Sequence, residues 1–99
     1  MIQFSRTASV GPGKVGDALG FANEISGYLQ KQYDIKTQVL MPVGGNPHRI
    51  SWRSEYPNLA ALEAIQSKFP TDEKYMALLA KGAPNFIPGS VTDEIWRTL

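Results

Sequence analysis

The chain contains no cysteine. Disulfide scaffolding, thiol catalysis, Cys-ligated zinc and iron–sulfur chemistry are therefore excluded together. Only one histidine is present, His48, so a His-based metal site within one protomer is excluded and no metal or cofactor is expected. There is no excess of charge: ten Lys and Arg stand against nine Asp and Glu, with no basic block interleaved by aromatics. The electrostatic footprint of a nucleic-acid binder is missing, and no nucleic-acid partner is expected. No apolar run approaches the ~18 residues of a membrane-spanning helix. The opening Met1-Ile2-Gln3-Phe4-Ser5-Arg6 lacks the charged start and apolar run of a secretory signal. The expected address is the cytoplasm, with no membrane partner. The short glycine motifs also carry little chemistry. Gly11-Pro12-Gly13-Lys14-Val15-Gly16 lacks the full phosphate-loop pattern, and no G-x-S-x-G elbow occurs.

What is present is the composition of a globular domain: 42% hydrophobic residues, with two Trp, four Tyr and four Phe. Ninety-nine residues suffice for one core, so a single domain spanning 1–99 is expected. Residues 2–10 alternate, with Ile2, Phe4, Ala8 and Val10 on one face and Arg6 interrupting it. This period of two predicts a strand, ended by Gly11-Pro12-Gly13. Residues 14–33 switch to helical spacing through Val15, Ala18, Leu19, Ala22, Ile25 and Leu29. Gly16, Gly20, Asn23 and Gly27 make a small-residue stripe on the far side, suited either to close approach of another backbone or to an undemanding solvent face. Residues 35–41 and 48–55 predict two strands joined by a Gly/Asn/Pro loop.

Pro57-Asn58 opens a second helix with Asn58 as its cap and Leu59, Leu62, Ile65 and Phe69 on its apolar face. Pro70 interrupts it. Thr71 is the expected cap of a further segment in which Tyr75, Leu78 and Leu79 face inward and Gly82 marks the stop. Residues 91–99 predict a closing strand. The order β-α-β-β-α-β matches the split plan of ferredoxin-like domains, an α+β sandwich with helices on one face of a four-stranded antiparallel sheet. The other face is not cleanly polar: Leu40 breaks it, and the neighbours Ile95 and Trp96 must point opposite ways. A second copy is the simplest cover.

Three segments carry a resemblance: Arg6-Thr7-Ala8-Ser9-Val10-Gly11-Pro12-Gly13-Lys14, Glu55-Tyr56-Pro57-Asn58-Leu59-Ala60-Ala61-Leu62-Glu63 and Phe86-Ile87-Pro88-Gly89-Ser90-Val91. The sequence resembles uncharacterised bacterial members of the dimeric α+β barrel superfamily. That superfamily includes antibiotic-biosynthesis monooxygenase, NIPSNAP-like and stress-responsive barrel groups. The resemblance spans nearly the whole chain, but rests on strand, turn and capping patterns. It implies a homodimer packed sheet to sheet, with a cavity between sheet and helices in each protomer.

No pair of carboxylates has a diagnostic spacing, so no catalytic residue is assigned. The candidate ligand-binding residues are polar or aromatic side chains on or beside strands: Arg6, His48, Trp52, Arg53, Tyr56, Phe86 and Trp96. On one reading they line an apolar cavity that orients a small aromatic or quinone-like molecule; on the other they are ordinary core and dimer interface. A buried Arg6 needs a carboxylate such as Glu94, or a route for its head to water. Phe86 and Ile87, set between prolines, suit a pocket rim or a rigid dimer contact. The first function expected is small-molecule binding by a dimeric barrel without assigned chemistry. The second, implied by the resemblance, is a cofactor-free monooxygenase acting on a polycyclic aromatic or quinone-type substrate, with Trp52, Arg53, His48 and Tyr56 serving packing, charge and proton handling. Haem degradation ranks last, because His48 sits at a turn.

Overall fold

The computed structural model describes residues 1–99. Its elements are β1 (Ile2–Ser9), α1 (Val15–Tyr33), β2 (Thr37–Leu40), β3 (Arg49–Tyr56), α2 (Leu59–Gln66), α3 (Glu73–Gly82) and β4 (Thr92–Arg97), with single 3-10 turns at Phe69–Thr71 and Ala83–Asn85. The strands form one antiparallel sheet in the order β2-β3-β1-β4. This is the ferredoxin-like α+β arrangement the sequence predicts, with the second helix divided in two. No helix is long and apolar enough to cross a membrane.

Local chemistry accounts for the element ends. Gly13 takes a left-handed φ of 71° in the turn after β1. Asp34 closes α1, also left-handed at φ 55°, and its backbone N–H donates to the carbonyls of Leu29 and Gln30. Asn58 caps α2 as expected, its Oδ1 accepting from the Ala61 N–H at 2.8 Å. The cap of α3 is Asp72 and not Thr71: its Oδ1 accepts from the Tyr75 N–H at 3.0 Å, while the Thr71 hydroxyl donates to Lys68 O in the preceding turn. Pro70 in the 3-10 turn shifts the start of the helix by one residue.

Two small clusters make the core. Ile2, Ile35, Tyr56 and Leu62 form one; Val10, Ala18, Ala22 and Ile50 form the other. No other part of the chain approaches the glycines of α1: nothing lies within 4 Å of where a Cβ would stand on Gly16, Gly20 or Gly27. Close approach occurs instead at Gly82, where a Cβ would fall 2.3 Å from the Phe21 ring. Gly82 is right-handed, at φ −82°. It ends α3 because Phe21 needs the space, and the chain runs directly on into the next turn.

The loop after α3 is fastened to the end of β1. The Gly11 N–H donates to Asn85 O at 2.9 Å, Ile87 N–H donates to Ser9 O at 2.9 Å, and Ser90 Oγ accepts from the Ser9 N–H at 3.1 Å. This docks Phe86 against Phe21 and Trp52. At the edge of the sheet beside β1, every residue of β4 is exposed. Ile95 pairs with Phe4 and so lies on the helix side, whereas Trp96 pairs with Gln3 on the open face.

Candidate functional site

The helix side of the sheet is read directly from the register. One cross-strand row runs Asp93, Arg6, Trp52, Val39; the next runs Ile95, Phe4, Ser54, Thr37. Helix α1 covers the β2–β3 half of these rows, while the Phe69–Thr71 turn and α3 wall the remainder. The helices do not close over the sheet completely, leaving a partly open cavity of about 430 Å³ between the two core clusters. Six aromatic side chains line it: Phe4, Phe21, Trp52, Tyr56, Phe69 and Tyr75. Ile25, Leu29, Met76 and Leu79 add aliphatic surface. A predominantly apolar lining with a few polar groups is what a small-molecule site requires.

The rings are ordered by edge and stacking contacts. Phe21, Trp52 and Phe86 meet in a triangle with centroid separations of 5.8 to 6.3 Å. Phe69 stacks on Tyr75 at 4.1 Å with their planes 14° apart. The edge contacts of Phe21 with Trp52 and Phe86 suit the ring quadrupoles.

The polar groups are few. Arg6 forms a two-point pair with Asp93, Nε to Oδ1 at 2.7 Å and Nη2 to Oδ2 at 2.9 Å. Both side chains remain 39% exposed, so the pair sits where the cavity meets solvent. Its partner is Asp93 rather than Glu94, because Glu94 falls on the opposite face of β4, across from Ser5. The hydrogen bond to Asp93 raises the Arg6 pKa against the opposing effect of burial. Burial also raises the Tyr75 pKa, with Arg6 pulling the other way. Ser54 Oγ donates to Tyr56 Oη at 3.3 Å. Two buried side-chain atoms have no partner, Trp52 Nε1 and Thr37 Oγ1.

Outside the cavity, Asp72 gathers Tyr28 and Tyr33 from α1. The Tyr28 hydroxyl lies 2.7 Å from Asp72 Oδ2, and the Tyr33 hydroxyl donates to the same oxygen. These bonds hold the Asp72 carboxyl below its usual range and push Tyr33 up to about 12. They also tie the Phe69–Tyr75 wall to α1.

Of the sequence candidates, Arg6, Trp52 and Tyr56 line the cavity and Phe86 braces Trp52 from behind. The other three lie elsewhere. His48 is exposed in the loop before β3, its N–H donating to Asn46 Oδ1 at 2.9 Å. Arg53 lies in a polar depression beside β2 with Lys36 and Glu55. Trp96 stands 62% exposed on the open face. Sequence reasoning did not single out Phe21, Thr37 or Asp93. Phe21 was findable, since it lies four residues before Ile25 on the same helical face. Asp93 was not, because its pairing with Arg6 depends on the register between the first and last strands.

No protein-family model matches the chain, and no curated protein matches its sequence. Solved structures do match. An uncharacterised NIPSNAP domain protein from Burkholderia xenovorans superposes with a TM-score of 0.84 and 15% identity, covering 100% of this chain and 95% of that one. A putative antibiotic biosynthesis monooxygenase from Nitrosomonas europaea gives 0.75 and 14%, covering 100% and 99%. A mutant of SnoaB, a cofactor-independent oxygenase from Streptomyces nogalater, gives 0.71 and 5%, covering 98% and 91%. The chain thus has a ferredoxin-like α+β fold, and its structural neighbours are NIPSNAP and antibiotic-biosynthesis-monooxygenase proteins. At these identities the likeness establishes the fold; the chemistry has to be argued from the site.

Proposed function

We propose that this protein is a single ferredoxin-like domain that binds a small apolar, aromatic molecule, acts in the cytoplasm and assembles as a homodimer. The observation that carries the ligand is the cavity: six rings and four aliphatic side chains enclose about 430 Å³, with one self-neutralised ion pair at its edge. A planar aromatic compound suits such walls through stacking and edge contacts. Native mass spectrometry followed by denaturation and small-molecule detection tests this directly. An aromatic adduct carried through purification supports the reading. Failure to bind any of a panel of two- and three-ring aromatics, followed by tryptophan fluorescence, counts against it.

The dimer rests on the open face of the sheet. That face carries short polar side chains on β1 (Gln3, Ser5, Thr7, Ser9), flanked by Arg53 on one side and Glu94 and Trp96 on the other. Arg53, Ser5 and Glu94 share one row. A two-fold axis along β1 sets Arg53 of each copy against the partner's Glu94, so the face is complementary to itself. Arg53→Glu or Glu94→Arg alone should weaken association in sedimentation, and the double variant should restore it. Equal association in all four proteins removes this arrangement.

A second reading, cofactor-free oxygenation of a polycyclic aromatic or quinone-type substrate, is favoured by Asp93. Its carboxylate at the cavity edge can accept a proton from a ligand hydroxyl while Arg6 holds the resulting anion nearby. Oxygen uptake with anthrone, abolished by Asp93→Asn, supports this reading; no uptake in the wild type excludes it for that substrate.

A further inference from the structure

The two outer strands of the sheet present different edges. β2 is four residues long, and the carbonyl of its Thr37 already accepts from Ser26 Oγ of α1 at 2.9 Å. β4 runs for six residues and is the last strand on its side. Its hydrogen-bonding parity follows from one bond. The Thr98 N–H donates to Met1 O at 2.9 Å, and the Ile2↔Arg97 register carries that alternation along the strand. Trp96, Glu94 and Thr92 therefore turn their backbone groups toward β1, whereas Asp93, Ile95 and Arg97 turn theirs outward. An open row of N–H and C=O groups is a template for another strand.

The side chains on that edge fit a second copy of themselves. On the helix side the order is Val91, Asp93, Ile95, Arg97, Leu99: apolar, acidic, apolar, basic, apolar. An antiparallel partner related by a two-fold axis at Ile95 sets Ile95 against Ile95, Asp93 against Arg97 and Val91 against Leu99. The outward backbone groups of 93, 95 and 97 meet in the same register. On the open face Thr92 meets Thr98 and Glu94 meets Trp96, so no two like charges stand directly opposite. Arg97 makes no ion pair within its own chain. Asp93 is bound by Arg6, but each carboxylate oxygen keeps a lone pair for a further donor. Val91, Ile95, Trp96 and Leu99 are all exposed in the single chain. We propose that β4 is a self-complementary pairing edge, through which two copies of this chain join their sheets into one continuous sheet. Arg97 of the second copy then stands beside Asp93, a residue of the cavity lining. This contact does not rest on the face-to-face packing proposed above, because it is made by the edge backbone of β4.

Amide hydrogen exchange by NMR, followed against protein concentration, reads the edge directly. The N–H groups of Asp93, Ile95 and Arg97 should exchange rapidly in dilute protein and become protected as copies associate. Those of Glu94 and Trp96, bonded to β1, should be protected throughout. Arg53→Glu, which acts on the open face, should keep this pattern and still sediment as a dimer at millimolar concentration. Adding Arg97→Glu sets acid against Asp93 twice in each pair and should weaken that dimer about tenfold. Ile95→Pro removes an outward N–H that β1 does not use, so the chain should fold and fail to pair by its edge. If that variant does not fold, the exchange pattern and Arg97→Glu decide. Rapid exchange at Asp93, Ile95 and Arg97 at every concentration overturns the edge contact, as does a monomeric Arg53→Glu or unchanged association in Arg97→Glu. The face contact is judged separately, by its own charge-reversal pair.

Discussion

Gly82 offers a sharp test of how the site's aromatic triangle is packed. A Cβ added there would lie 2.3, 2.4 and 2.6 Å from Cδ1, Cε1 and Cγ of Phe21, where ordinary contact begins at 3.4 Å. The ring must therefore retreat by about 1 Å. It cannot do so freely, because Trp52 and Phe86 hold it at centroid distances of 6.3 and 5.8 Å. Overpacking of this kind typically costs about 1–3 kcal/mol. Working the other way, Ala is favoured over Gly in a helix by about 0.5–1 kcal/mol, and less at a helix end. The clash wins, and Gly82→Ala should destabilise by about 1–2 kcal/mol. For a domain of this size that lowers Tm by roughly 5–15 °C. Circular dichroism melting measures it, with near-ultraviolet signal reporting the Trp52 environment. The decisive control is the same substitution in a Phe21→Ala background, where the space is free and the helix preference should make it neutral or slightly stabilising. A rise in Tm for Gly82→Ala in the otherwise native chain would refute the reasoning, as would an equal loss in both backgrounds.

Three further outcomes are expected. Asp72→Asn retains a capping oxygen but removes the charge that Tyr33 and Tyr28 stabilise. Since the folded carboxyl titrates below its ordinary value of 3.8, its contribution is present above that pH and lost as pH falls through the folded value. The variant should therefore be less stable than wild type at pH 7, with the two melting curves converging below about pH 4; a gap that persists in acid would contradict this. In an ultraviolet titration of the four tyrosines, Tyr33 should ionise near 12, and Asp72→Ala should return it toward 10. The stability this adds is complete below pH 10 and disappears as pH rises through 12. Asn58→Ala deletes the acceptor for the Ala61 N–H and should cost about 1 kcal/mol in urea unfolding, whereas Asn58→Asp should be nearly silent.

Local pattern in the sequence was enough to define the elements. Alternation in residues 2–10, helical spacing from Val15 to Leu29, the Asn58 cap and the Pro70 break each act within a few residues, and β-α-β-β-α-β order then restricts the topology to very few choices. The sequence also indicated that Arg6 needed a carboxylate or a route for its head to water, because a charge on an apolar strand face is costly to bury unpaired. Which carboxylate was decided by tertiary structure. Asp93 lies 87 residues away, and a shift of one residue in the β1–β4 register would have supplied Glu94 instead. The same holds for the site as a whole. Periodicity distinguishes the buried face of each element, but a core and a cavity are written with the same residues. Only the spacing between α1, the Phe69–Thr71 turn and the sheet opens about 430 Å³ there, and only the β1–β4 register sets the Arg6–Asp93 pair at its edge. Pattern is a property of each segment; volume belongs to the distances between segments.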